Sequence, residues 1–139
     1  MAFDLQKVNF AQAAEAGFTF NLKLPNGADS GAKLTILGDM SPAVKLYQRK
    51  KGQEYLQRQA MLKRKGKEDE IDLDNLEEQA VEACLVRLIG WEGVEEGGKA
   101  VAFSKEAARE KLLGLEWVRQ QILDEAADVS NFTPKALKP

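Results

Sequence analysis

The sequence predicts an α+β fold, with a small N-terminal β-hairpin or sheet unit followed by a predominantly helical C-terminal bundle. Apolar and polar residues alternate along residues 18–24 and 33–37, which is the period of a half-buried strand. From about residue 41 onward, apolar residues recur every three or four positions, which is the period of an amphipathic helix. A length of 139 residues suits one compact domain.

The N-terminal β unit, residues 1–41, is expected to contain a hairpin or a pair of neighbouring strands. The turn sequences Pro25-Asn26-Gly27 and Asp29-Ser30-Gly31 separate the two alternating segments. The strand positions expected to lead the core are Phe20, Leu22, Leu34 and Ile36.

Residues 42–67 are predicted to form a helix. Ser41 is a good N-cap, and Pro42 suits the first helical position because that position needs no backbone donor. Gly52 is a weak point in the interior, costing about 1 kcal/mol relative to alanine. The apolar stripe of this helix is thin, so the helix has little to bury for its length.

Charge reverses sharply at the end of this helix. Residues 45–67 carry nine basic residues and one acidic residue, Glu54, whereas residues 68–82 carry eight acidic residues and none that is basic. The formal net charge of −2 therefore conceals a strong separation of charge along the chain. Residues 66–70, where the sign changes, are predicted to be a solvated linker.

The helical region, residues 68–139, is expected to begin with a core helix that Asp72 or Asp74 caps and Gly90 ends. A glycine-rich excursion should follow at residues 91–99. The apolar stripe of the core helix is Leu73, Leu76, Ala80, Cys84 and Leu88, widened by Val81, Leu85 and Ile89.

Two further helices are predicted near the C-terminus. Ser104 should cap the first, which runs to about residue 113, and the second should cover residues 116–127. Leu85, Leu88, Trp117 and Ile122 are expected to complete the core, and both Trp91 and Trp117 are expected to be mainly structural. The tail from Ser130 is expected to fray.

Composition excludes much catalytic chemistry. The chain has no histidine and one cysteine, so Ser-His-Asp triads, Cys-His dyads and His-ligated metal sites cannot be built within it. The acidic run lacks the twelve-residue calcium loop, and the glycine-rich excursion lacks a phosphate-binding signature. We therefore expect no enzyme activity, catalytic residue, cofactor or metal, and the absence of an apolar run of about 20 residues predicts no membrane span.

The basic helix is the candidate binding surface because it mixes cations with tyrosines. Such a mixture can contact acidic proteins, and it can also neutralise phosphates and stack on bases. The acidic complement in the same chain favours intramolecular or partner-protein contacts over nucleic acid. The predicted partner-binding residues are Arg49, Lys50, Lys51, Tyr55, Arg58, Lys63 and Arg64.

The order of several motifs resembles the tail assembly chaperones of long-tailed, siphovirus-type bacteriophages. The resemblance covers about residues 18–132 and lies in the order of weak motifs. These motifs are the strand Lys33 to Gly38, Asp39-x-Ser41-Pro42-x-x-x-x-Tyr47, Trp91-x-Gly93-Val94, Phe103-Ser104-x-Glu106-Ala107 with Leu112-Leu113, Trp117-Val118-x-x-Gln121-Ile122, and Asn131-Phe132.

The resemblance implies a non-enzymatic assembly factor that binds the tape measure protein and brings tail tube subunits to it. Self-association is compatible with that role. Such a factor acts in the cytoplasm of the infected or lysogenic bacterial host and leaves before the tail matures, so it is not expected in the virion. Two alternatives stay open: a nucleic-acid-binding or packaging accessory protein that uses residues 45–67, and a structural tail or connector subunit.

Overall fold

The computed structural model describes residues 2–67 and 73–137, and it confirms the α+β class. The strands are β1 (Phe18–Lys23), β2 (Asp29–Ile36), β3 (Leu88–Glu92), β4 (Glu95–Glu96) and β5 (Lys99–Ala100). The α-helices are α1 (Phe10–Ala16), α2 (Pro42–Arg64), α3 (Leu73–Arg87), α4 (Lys105–Ala107) and α5 (Glu116–Ala127). A π-helical segment (Ala108–Leu112) continues α4, and short 3₁₀ segments occur at Leu5–Lys7, Val129–Phe132 and Lys135–Leu137.

A three-stranded antiparallel sheet in the order β1-β2-β3 forms the centre of the molecule. The predicted hairpin is confirmed, with Phe20 opposite Leu34. Its turn is shorter than predicted, because the second turn sequence, residues 29–31, belongs to β2. Gly31 takes a φ of +87° there, so its conformational freedom serves a strand irregularity and not a separate turn.

The third strand corrects the prediction that the core helix continues to Gly90. Helix α3 ends at Arg87, and the next residues pair with β2, where Trp91 lies opposite Leu34. Lys105 donates from Nζ to the carbonyl oxygens of Leu85 and Leu88, where α3 meets β3. Tertiary pairing and this lysine therefore end the helix before the glycine does.

The two C-terminal helical predictions are confirmed, and one helix was not predicted. Ser104 caps α4, which continues through the π-helical segment, and α5 has the expected bounds. The sequence argument assigned no element to α1, which Asn9 caps through its side chain. Asp72 lies outside the described residues, and the side chain of Asp74 is not described, so their proposed capping role stays a prediction.

The core lies between one face of the sheet and the helices α3 and α5. All four predicted strand residues are buried, as are Leu88 and Ile122, whereas Leu85 and Trp117 are partly buried and pack against this core. The prediction that the tail frays from Ser130 is wrong as far as Phe132. That ring is buried and meets Phe18 edge-on, with 5.8 Å between ring centroids.

Candidate partner-binding surface

Helix α2 exposes almost all of its side chains. Ser41 caps it by accepting the backbone N–H of Val44 at 3.4 Å, as the Ser-Pro sequence predicts. Val44 is the one buried residue of this 23-residue helix. A helix interior normally gains stability by burying a stripe of side chains, so the composition of α2 is suited to contacts with other molecules.

All seven predicted binding residues lie on α2, but the helix does not bring them onto one side. Successive residues are rotated by about 100°, which separates the seven into two groups. Lys51, Tyr55 and Arg58 lie on the side that carries Val44. The other four point to the opposite half of the helix: Arg49, Lys50, Lys63 and Arg64.

Lys51 is committed to contacts within the chain. Its Nζ lies 3.1 Å from Glu82 Oε2 on α3 and 3.4 Å from Glu54 Oε2, and it lies 5.8 Å from the centre of the Tyr47 ring. The hydrogen bond to Glu82 raises the pKa of Lys51 above its ordinary value. Of the predicted binding residues, Lys51 therefore connects α2 to α3, and it is a poor choice for a partner contact.

The four predicted binding cations of the opposite half, which also carries the exposed Lys45, are differently placed. Arg49, Lys50, Lys63 and Arg64 are exposed, and within residues 2–67 and 73–137 none of them forms an ion pair. Exposed apolar residues share this half: Leu46, Leu56 and Met61. We call these seven residues the outward side of α2.

Helix α3 exposes leucines that the sequence argument placed in its buried stripe. Leu73 is 74% exposed and Leu76 is 52% exposed, which corrects that prediction. The stripe is correct farther along at Val81, Cys84 and Leu88, which are buried, but Ile89, which was predicted to widen it, is 40% exposed. Burial therefore begins only partway along α3, a limit that apolar spacing alone does not reveal.

Carboxylates accompany these exposed leucines. Glu77 shares a side of α3 with Leu73 and Leu76, and we call these three residues the acidic leucine face. Glu78 is exposed beside them and pairs with Arg109. The remaining acidic residues of the sign change, Glu68, Asp69, Glu70 and Asp72, lie outside the described residues, as does most of the predicted linker.

A partly buried ion pair joins Arg87, the last residue of α3, to Asp39, which lies just before α2. Arg87 donates from Nε to Asp39 Oδ1 at 2.8 Å and from Nη1 to the carbonyl oxygen of Ala83 at 2.6 Å. The backbone N–H of Asp39 donates to Ala126 in α5 at 3.0 Å. The sequence argument did not identify this pair; its signal was an arginine on the otherwise apolar stripe of α3.

Cys84 is buried, as its place in the apolar stripe predicts. Burial raises the pKa of the Cys84 thiol to about 11, and its Sγ–H points toward the carbonyl oxygen of Arg119 at 3.7 Å. The thiol is therefore protonated at neutral pH and inaccessible to a substrate.

Trp91 and Trp117 are both partly buried and pack against the core. Trp91 also donates its indole N–H to the carbonyl oxygen of Val101 at 2.8 Å and meets Phe103 edge-on. These contacts give Trp91 the structural role that the sequence predicted.

Among the described residues, no helix is both long enough and apolar enough to cross a membrane. A family model described as YdaY prophage protein matches residues 43–138, which include α2 and every later element. The chain belongs to the YdaY prophage protein family. It is therefore a phage or prophage protein, which agrees with the phage setting that the sequence resemblance implies. A search of curated proteins and a search of solved structures found no match.

Proposed function

We propose that this protein is a non-enzymatic tail assembly chaperone that binds the tape measure protein and recruits tail tube subunits. The proposal rests on the outward side of α2, whose four cations are exposed and form no ion pair within the described residues. Membership in a prophage family and the motif order of the tail assembly chaperones support the phage setting.

Contacts made by exposed charges suit a factor that must capture its partner and later release it. Each such contact contributes roughly 0 to 1 kcal/mol and weakens as salt increases. Several of them steer two molecules together quickly, yet another protein can displace them. In this proposal, tail tube subunits displace the chaperone in the host cytoplasm, so the chaperone does not enter the mature virion.

The decisive test measures binding to the tape measure protein of the same prophage. The variant changes Arg49, Lys50, Lys63 and Arg64 to glutamine and retains Lys51, which connects α2 to α3. We expect affinity at low salt to fall about 10-fold or more, because four exposed charge contacts are lost. The control changes Lys7, Lys33, Lys99 and Lys135, four exposed lysines outside α2, to glutamine.

Equal binding by the wild type and the α2 variant would contradict the proposed surface. No binding by the wild type to either the tape measure protein or the tail tube protein would contradict the chaperone function itself. Presence of the protein in purified phage particles would instead support a structural tail or connector subunit.

A nucleic-acid-binding function is the second candidate, and Tyr55 is the observation that favours it. This side chain is 61% exposed on a helix rich in cations, where a base could stack. Duplex and single-stranded DNA titrations at several salt concentrations test this function. Binding that is lost in both the α2 glutamine variant and Tyr55→Ala, while binding to the tape measure protein stays intact, would make nucleic acid the ligand.

A further inference from the structure

We infer that α2 and α3 form a self-association surface, in which the outward side of α2 packs on the acidic leucine face of a second copy. The occupant is a second molecule of this chain. The inference uses the same side of α2 as the proposed function, so a second copy and the tape measure protein would compete for that side, and self-association is therefore tested in the absence of any other partner.

The two surfaces are complementary in charge and in apolar content. The outward side of α2 combines four cations with Leu46, Leu56 and Met61, all of which are exposed. The acidic leucine face combines the exposed Leu73 and Leu76 with the carboxylate of Glu77. Leucine can pack on leucine while the Glu77 carboxylate meets the cations of α2, as in the helix pairs that bury an apolar seam between flanking charges.

The two surfaces of one molecule cannot meet each other. Lys51 contacts Glu82 at 3.1 Å, so the side of α2 that carries Lys51 is the side directed at α3. The outward cations lie on the opposite half of α2 and point away from α3 of the same chain. A second copy can supply the missing face, and a two-fold arrangement uses each surface twice, once from each subunit.

The two proposed surfaces also carry several of the exposed large apolar residues of the molecule. Of the thirteen exposed large apolar residues described, five lie on these surfaces: Leu46, Leu56, Met61, Leu73 and Leu76. Exposed apolar residues that cluster beside complementary charges are typical of an interaction surface.

The test is a charge exchange between two variants, measured by sedimentation velocity at low salt and about 100 μM protein, which detects micromolar dissociation constants. The α2-acidic variant changes Arg49, Lys50, Lys63 and Arg64 to glutamate. The α3-basic variant changes Glu77 to lysine and leaves Glu78, which pairs with Arg109 of the same chain, unchanged. We expect the wild type to form dimers and each variant alone to associate at least about 10-fold more weakly, because its two surfaces then carry like charges.

Mixing the two variants supplies the specific evidence. At one contact of the dimer the acidic α2 of one variant then meets the basic α3 of the other, and the second contact joins the unchanged α2 to the unchanged α3. Opposite charges meet at both contacts, so we expect a heterodimer near wild-type strength. In the mixture, the two surfaces of each single chain still carry charges of the same sign. Recovery of association can therefore come only from contacts between the two different chains. Changing both helices in one chain should also restore the homodimer.

Two controls keep the result interpretable. Glu95→Lys adds the same charge as the α3-basic variant at an exposed position outside α3, and it should leave association unchanged. A variant with both Leu73→Gln and Leu76→Gln should form a weaker dimer. Mixing it with either charge variant should not restore association to the wild-type strength. If a glutamate variant loses helical circular dichroism, glutamine at the same positions replaces it.

A monomeric wild type at this concentration would overturn the inference. Association that neither charge variant weakens would also overturn it, as would a mixture that fails to form heterodimers. Binding of the tape measure protein by a monomeric wild type would leave the proposed function standing while removing the self-association surface.

Discussion

The second half of α3 and the exposed helical arm, which we define as residues 45–64 and 73–79, use similar residues in opposite ways. Val81 and Cys84 are buried in the core, whereas Leu73 and Leu76 continue the same stripe into solvent. The arm has no buried residue among its described side chains, although it contains leucines, a methionine and tyrosines. The apolar spacing therefore defines a helix, and neighbouring elements decide whether it becomes core or surface.

This difference separates the residues that stabilise the fold from those of the candidate binding surface. The sheet, α5 and the second half of α3 bury apolar side chains, which is the main favourable contribution to folding. The arm buries little and keeps its cations in water, so substitutions there should change binding more than stability. Five substitutions or probes compare the two regions, beginning with the largest expected effect.

The largest effect on stability is expected from Leu34→Ala at the centre of the sheet. Leu34 is fully buried between its neighbours on β1 and β3, so its truncation leaves a cavity and should cost about 2 to 5 kcal/mol. Leu56→Ala on the arm is the matched control and should cost less than about 0.5 kcal/mol. Urea denaturation measures both, and equal losses would show that the arm is packed in solution.

Gly93→Ala should lower the free energy of unfolding by about 3 kcal/mol. Gly93 has a φ of +73°, and an added Cβ would press on the carbonyl oxygen of Gly31 in β2. Both strain and a steric clash with backbone atoms oppose the substitution. Thermal unfolding is the measurement, and a change below about 0.5 kcal/mol would show that the two chain segments separate more than the structure indicates.

The rate of thiol alkylation should differ between the exposed arm and the buried core. A cysteine introduced by Leu56→Cys should react with iodoacetamide at least about 100-fold faster than Cys84 at pH 8, because Cys84 is buried and protonated. The unfolded thiol ionises near its usual pKa of about 8.5, and the folded thiol near 11. The unfolded state therefore loses its proton first, and stability should fall as pH rises through this interval.

Peptide mapping of the alkylated protein measures both rates in one sample, and Cys84→Ala identifies the contribution of that thiol to the pH dependence. Comparable labelling of the two cysteines in the folded protein would contradict the burial of Cys84.

Trp91→Phe should cost about 1 kcal/mol. Phenylalanine keeps much of the ring packing against Phe103 but removes the indole N–H that donates to Val101. Chemical denaturation measures the loss, and Trp91→Ala provides a larger truncation at the same site. Equal effects of the two substitutions would show that ring packing contributes little at this position.

The smallest effect is expected from Gly52→Ala, and it has the opposite sign. An added Cβ at Gly52 meets nothing within 4 Å, so alanine should stabilise α2 by about 0.5 to 1 kcal/mol through its higher helix propensity. Amide hydrogen exchange of α2 should slow while exchange in the sheet changes little. Faster exchange in α2 would contradict an exposed, regular helix at this position.

Local sequence patterns correctly predicted most of the elements. Alternation identified β1 and β2, and the Ser41-Pro42 and Ser104 caps marked where helices begin. The same patterns misplaced the end of α3, because helix and strand periods cannot be distinguished over the few apolar residues that become β3. Pairing with β2 decides that strand, and pairing is a contact between distant parts of the chain.

The candidate surface was predicted in part for a similar reason. The sequence by itself determined that residues 45–67 are strongly basic and have little apolar material to bury. Only the tertiary structure decided that Lys51 pairs with Glu82, that four other cations face away from α3, and that Leu73 and Leu76 are exposed. Charge and periodicity are properties of the chain, whereas exposure and pairing depend on which other elements lie within contact distance.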